Sequence, residues 1–222
     1  MIFTLRTYQV NPKDHAEFVR LSEEKEWPEL ERRGARAMGL WNTVMGGADR
    51  LVEMTKYDSL AHWQEIQDWG DSGGGDVSSR AALITDSEVI ALSPLTRQQP
   101  DGDAPEEDPG IYTVRRFTIA RKDIKRAVEL SEEGWWPWVR KGQGLRPIGQ
   151  WMSIVAPETR MYMMARYNDL AHWEATRGID PEPEDPEMHA LWERGFAAIA
   201  ERTKMTIHTD VSVLRPISSR RP

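Results

Sequence analysis

The chain has 222 residues, 39% of them hydrophobic and 29% charged, with ten tryptophans and no cysteine. That much apolar material can build real cores in one large domain or two of about 100 residues, which excludes a wholly disordered chain. The lack of thiols excludes disulfides, thiolate nucleophiles and cysteine-held metals, and fits a reducing cytoplasm as the expected location. The net charge of −7 resides in two proline-rich stretches, 98–110 and 180–187, which carry five acids each and leave the remainder near +3. No basic cluster points to nucleic acid, and no apolar run is long enough for a membrane-spanning helix.

In chain order, residues 2–10 alternate in β-favouring character and read as a strand. "NPKD" at 11–14 opens a helix that runs to about residue 26. Trp27-Pro28 then interrupts it, since proline costs about 3 kcal/mol in a helix interior. Two strands follow, roughly 38–45 and 50–57, joined by "GGAD", whose glycines suit a tight hairpin. Ser59 starts a second helix, and a closing strand lies near 87–93. After an acidic linker at 98–110 the order returns. A strand begins at 111 and a helix carries the stripe Ile124, Ala127, Val128, Ser131 and Trp135; Trp136-Pro137 ends it. Strands 147–155 and 160–167 come next, joined by "APET", then a helix from Asp169 and a last strand at 207–214. An insertion near 178–202 adds a further helix, marked by Met188, Leu191, Trp192, Gly195 and Ile199.

The returning order is matched by returning words. "TLRTY" at 4–8 answers "TVRRF" at 113–117, "LSEEKEWP" at 21–28 answers "LSEEGWWP" at 130–137, and "YDSLAHW" at 57–63 answers "YNDLAHW" at 167–173. The offset is 109 early and 110 later, and the second copy gains about twelve residues after His172. The expected organisation is therefore a repeat at 1–97, a linker at 98–110 and a second repeat at 111–218. Each repeat reads as a ferredoxin-like β-α-β-β-α-β unit. Strands such as "IFTLRTY" are apolar at both parities, so both sheet faces need covering. The expected fold class is α+β, with two tandem units whose antiparallel sheets pack into one pseudo-dimeric α+β barrel, as a monomer or a homodimer.

"FTLRTYQVNPKDHAEF" together with "YDSLAHW" resembles the opening and second-helix signatures of the NIPSNAP family of the dimeric α+β barrel superfamily. The resemblance implies the same barrel and little chemistry. That superfamily includes cofactor-free monooxygenases, polyketide cyclases, isomerases and haem enzymes, so the site has to be argued from its own residues.

With Ser59 and Asp169 as N-caps, His62 and His172 both stand at the third helical position. The helix dipole disfavours their protonated form, so neutral imidazoles are expected. Two readings follow. Each ring could replace the glutamate of a capping box and bond a strand-end amide, or it could move a proton for a substrate. Tyr57 and Tyr167 either staple onto Trp63 and Trp173 or take part as phenols. Differences between the copies carry more functional information. Arg6 and Arg115 are equivalent mid-strand positions, and Glu53 on the third strand is the expected mate of Arg6. The residue matching Glu53 is Met163, so Arg115 is expected to lack an internal carboxylate, while Arg116 adds a second guanidinium where the first copy has Thr7. One of these two arginines should face inward and hold an anion, unless both pair with acids or reach solvent. Trp135, Trp136, Trp151 and Met163 would supply apolar lining, with Arg6 as the counterpart in the first copy.

The expected activity is thus a cofactor-independent cyclase, isomerase, lyase or monooxygenase acting on a small apolar or aromatic acid or ketone. His172 (with His62 and Tyr167) would move the proton, and Arg115 or Arg116 would stabilise the anion. The alternatives are a non-catalytic ligand-binding or protein-interaction barrel, or a haem-binding protein. "GGADR" and "DSGGGD" lack the strand-glycine-helix order of phosphate loops, and the five histidines show no metal spacing, so neither nucleotide nor metal is expected.

Overall fold

A computed structural model of the chain describes residues 1–47, 49–72, 77–97, 110–156, 158–178, 181–220 and 222. The expected acidic linker, Gly110 apart, lies outside the described residues. The chain divides into two compact units, residues 1–94 with 214–222 and residues 95–213. The fold is α+β.

Unit 1 holds β1 (Ile2–Val10), α1 (His15–Leu21), α2 (Trp27–Arg32), β2 (Arg36–Met45), β3 (Arg50–Tyr57), α3 (Leu60–Asp71), α4 (Val77–Ala81) and β4 (Ile84–Pro94). Its strands run β4-β1-β3-β2, each antiparallel to its neighbour, with Arg6 facing Glu53 across β1 and β3. Unit 2 holds β5 (Ile111–Ile119), α5 (Ile124–Glu129), α6 (Trp136–Lys141), β6 (Arg146–Ser153), β7 (Arg160–Tyr167), α7 (Leu170–Ala175), α8 (Pro186–Met205) and most of β8 (Thr206–Pro216). Its strands follow the equivalent order β8-β5-β7-β6, with Arg115 facing Met163 across β5 and β7. Even the register irregularity recurs, between Ala37 and Gly39 in β2 and between Pro147 and Gly149 in β6.

Burial explains the near-continuous apolar strands. In β7 every residue after Arg160 is buried, and Trp27, Trp41, Trp136 and Trp151 are almost wholly enclosed. Removing an aromatic side chain of that size from water is worth about 2–3 kcal/mol, before the larger penalty for leaving a cavity.

One expectation needs correction at the first helices. Trp27-Pro28 and Trp136-Pro137 do not end them. The chain widens into a π-helical turn, Ser22–Glu26 or Leu130–Trp135, and continues as α2 or α6, with the proline in the new first turn. Proline lacks only a donor, and in the first turn of a helix that donor has no intrahelical acceptor anyway. The turn also matters for function, because it carries Glu26 in one unit and Trp135 in the other.

The inserted helix is longer than expected. Its N-cap Asp185 accepts from the Met188 amide, and it runs for 20 residues onto the π-helical turn and α6. Gly134 lets it approach: a Cβ there would stand 2.3 Å from the Ala198 Cβ. Unit 1 has Lys25 at the matching position and only the short α4. No helix among the described residues is long and apolar enough to cross a membrane.

Candidate functional site

The two histidines form the same local device. Ser59 Oγ accepts from the His62 amide at 3.0 Å, and Asp169 Oδ1 accepts from the His172 amide at 2.7 Å, so both N-caps are as expected. The ring Nδ1 then accepts from the backbone N–H of Asp58 (3.2 Å) or Asn168 (3.1 Å). An accepting Nδ1 puts the proton on Nε2, which reaches the carbonyl of Arg33 at 2.7 Å or of Gln143 at 2.6 Å. Each neutral ring thus ties a helix start to the loop after the preceding helix. Gly34 and Gly144 bend that loop with φ of +82° and +71° and leave room against the ring. Both ring nitrogens are committed and neither histidine lines either of the two cavities described below, so the hydrogen bonds present are those of the capping reading. Proton transfer by His172 or His62 would require breaking them. Tyr57 and Tyr167 set their ring edges against these histidines, at 6.1 and 5.7 Å between centroids.

The arginines divide as their neighbours dictate. Arg116 bonds Asp210 at 2.5 Å, with both side chains about two-fifths exposed, so it is a surface ion pair, and it does not line the cavity of unit 2. Arg115 is the inward one. It lines a cavity of about 560 Å³ with Trp135, Trp136, Met163 and Tyr167, so five of the ten expected site residues meet there, together with the unexpected Arg202. Trp151 is buried in the core and does not reach this cavity. Arg177 and His208 also line it, and His208 Nε2 stands 3.0 Å from Asp210 Oδ1. No Asp or Glu is among the lining residues, and Arg115 has no carboxylate partner among the described residues.

Unit 1 has its own cavity, about 420 Å³, in which Arg6 and Tyr57 stand beside Glu26 and Glu53. Here one expected detail is revised. Glu53 faces Arg6 in register, yet Arg6 donates to Gln67 at 3.0 Å, and Glu53 instead pairs with the buried Arg80. Arg80 also pairs with Glu26, stacks on Tyr8 and Phe18, and donates to the Tyr8 hydroxyl at 3.4 Å. A guanidinium has five donors and a flat face, which is why it can serve two carboxylates and two rings together.

Arg80 has a counterpart. It stands four residues before β4, and Arg202 stands four residues before β8. Arg202 is likewise buried, and lies 5.0 Å over the ring of Phe117, which takes the place of Tyr8. Its Nη1 donates to Ser131 Oγ at 2.8 Å. The partners have gone, however: Trp135 replaces Glu26, Met163 replaces Glu53, and Phe117 lacks the hydroxyl. Sequence reading missed Arg202 because its match to Arg80 becomes visible only once the strands that follow, β4 and β8, are superposed across the insertion.

The electrostatics follow from those partners. Burial acts against the charge of Arg80 and Arg6, but Glu53, Glu26 and neighbouring tyrosines outweigh it and raise both groups above the usual arginine value. In unit 2 burial prevails. It lowers Arg115, with Arg177 adding to the effect, and it pulls Arg202 down to about 10, with Arg115 adding. Both remain cations at neutral pH. They are two largely buried cations short of countercharge in one cavity, whose wall mixes apolar side chains with threonines, Gln143 and the exposed Arg177.

Comparison with known proteins bears on the fold. No curated protein matches the chain. Among solved structures, a monooxygenase candidate from Lactobacillus acidophilus NCFM matches with a TM-score of 0.64 and 14% identity, over 97% of this chain and 93% of that one. An anthrone oxidase-like protein matches at 0.65 and 10% identity, over 97% and 91%. A monooxygenase candidate from Fusobacterium nucleatum matches at 0.61 and 8%, over 98% and 92%. Identities this low speak for the fold alone. The sequence profile of the NIPSNAP family matches residues 3–93, and across that segment the chain is NIPSNAP-like.

Proposed function

We propose that this protein acts on a small organic anion in the cavity of unit 2, where Arg115 and Arg202 hold the charged oxygen of an apolar or aromatic acid, enol or phenol. The observation that carries this reading is the substitution around equivalent arginines: Glu26 and Glu53 supply countercharge and Tyr8 an acceptor in unit 1, while Trp135, Met163 and Phe117 leave the arginines of unit 2 without either. A buried guanidinium without a counterion costs several kcal/mol, so a site that retains two of them gains most from an anionic ligand.

The reaction class we propose is a cofactor-independent cyclase, isomerase, lyase or monooxygenase. What these share is an oxyanion that develops as a carbon acid or phenol gives up its proton, and a preorganised cation at that oxygen lowers the barrier. The proton acceptor is assigned to His208 rather than His172. Asp210 holds Nε2 of His208, and its Nδ1 has no partner among the described residues. A similarly folded protein described as anthrone oxidase-like fits this class, anthrone being a ketone whose conjugate base is an extended phenolate.

We further propose that the chain arose by duplication of one ferredoxin-like unit whose two sheets join as a pseudo-dimeric barrel. The support is the equivalent strand order, the shared register irregularity and the paired histidine devices.

The test is calorimetric titration with 1-naphthoate and its uncharged amide. The naphthoate should bind at least ~10-fold tighter, an advantage that Arg115→Met removes and Arg6→Met leaves intact. Equal binding of the two probes, or equal effects of the two variants, would refute the assignment. Deuterium exchange of 1-tetralone α-hydrogens, followed by NMR, separates an enzyme from a binding protein. Acceleration that disappears in His208→Gln supports catalysis, whereas no acceleration favours the non-catalytic alternative.

A further inference from the structure

Unit 1 contains a template for what the cavity of unit 2 lacks. Resting on the reading above that this cavity takes an organic anion, we infer that the ligand carries two acidic groups on an apolar body, one for Arg115 and one for Arg202. Its two anionic groups balance two guanidinium charges, as Glu53 and Glu26 in unit 1 balance Arg80, which they pair with directly, and Arg6, which feels them through charge alone. The class is an aromatic or aliphatic diacid, or an acid that also bears an ionised enol.

In unit 1 the cluster of Arg6, Arg80, Glu26 and Glu53 is neutral, and Arg80 spends Nη1 on Glu26 and Nη2 on Glu53. In unit 2 the same four positions hold Arg115, Arg202, Trp135 and Met163, so two positive charges have no internal answer. Arg202 spends Nη1 on Ser131, and its Nη2 and Nε have no hydrogen-bond partner among the described residues. A ligand with one carboxylate would leave the second of these largely buried guanidinium groups uncompensated, and away from bulk water charges interact several times more strongly. The volume, about 560 Å³, lies within the range of ordinary small-molecule sites and admits a ring with two acid groups. Trp135, Met163 and Phe117 offer that ring apolar contact in the places where unit 1 has polar side chains.

The test compares benzoate with phthalate, isophthalate and terephthalate, which offer three spacings of two carboxylates, by titration calorimetry on the full-length chain. At least one dicarboxylate should bind 10-fold or more tightly than benzoate, and that advantage should vanish in Arg115→Met and in Arg202→Met alike. Met163→Glu restores a carboxylate opposite Arg115. It should also remove the advantage, which keeps the test open if Arg202→Met does not fold. If benzoate binds as tightly as every dicarboxylate while Arg115→Met still weakens it, the two-group inference is overturned and the anion site stands. If no probe binds in an Arg115-dependent way, the site itself falls, and this inference with it.

Discussion

Two arginines in equivalent places, Arg80 and Arg202, live in opposite surroundings. Arg80 is held by Glu26 and Glu53, lies over Tyr8 and contributes to a closed, neutral cluster. Arg202 lies over Phe117 with a single serine as hydrogen-bond partner. A buried charge cluster adds little to stability once desolvation is counted, but removing one member of it is severe. The comparison therefore separates structure from function: unit 1 spends its arginine on its own carboxylates, and unit 2 keeps one in reserve.

The largest effect expected from breaking this comparison is in unit 1. Arg80→Met leaves Glu26 and Glu53 buried without a cation and should cost roughly 3–5 kcal/mol in urea unfolding. A loss below 1 kcal/mol would mean that the cluster is not a closed structural unit. Next come the capping histidines. His62→Ala and His172→Ala each remove two hydrogen bonds and should each cost about 1–2 kcal/mol, with anion binding unchanged in both. Loss of binding in His172→Ala alone would return that residue to the site. Arg202→Met should change stability with the opposite sign to Arg80→Met, raising the unfolding free energy of the ligand-free protein by on the order of 1 kcal/mol, because an unpaired buried charge is removed. Destabilisation as large as that of Arg80→Met would point to an internal partner for Arg202. The smallest change is expected from Arg116→Gln, roughly 0–1 kcal/mol, since a half-exposed pair with Asp210 contributes little.

Much of the architecture was legible because it rests on local signals written twice. The N-caps Ser59 and Asp169, the alternating run at 2–10 with its echo at 113–117, and the paired strands 50–57 and 160–167 emerge close to where the pattern puts them. The opposition of Arg115 to Met163 was legible too, through the plait's neighbouring first and third strands. What escaped depends on three-dimensional register beyond an insertion. Arg80 and Arg202 lie in stretches of different length and unlike sequence, so only the strands that follow reveal their match. The same blindness made Arg6 the expected partner of Glu53, when a residue from α4 arrives to take it. The π-helical turns escaped for another reason. They carry no composition of their own, and Trp-Pro reads as a helix end unless the chain is known to widen there. His208 gave no local signal at all, lying in an exposed stretch of β8, and only the cavity wall identifies it.

The central claim, that lost carboxylates left unit 2 cationic so that it can receive an anion, is most directly tested by giving one back. Calorimetric titration of Met163→Glu with 1-naphthoate should show affinity reduced by at least ~10-fold, in a protein that unfolds at a higher temperature than the parent because the new carboxylate pairs with Arg202 as Glu53 does with Arg80. Unchanged affinity in a stably folded Met163→Glu variant would contradict the account.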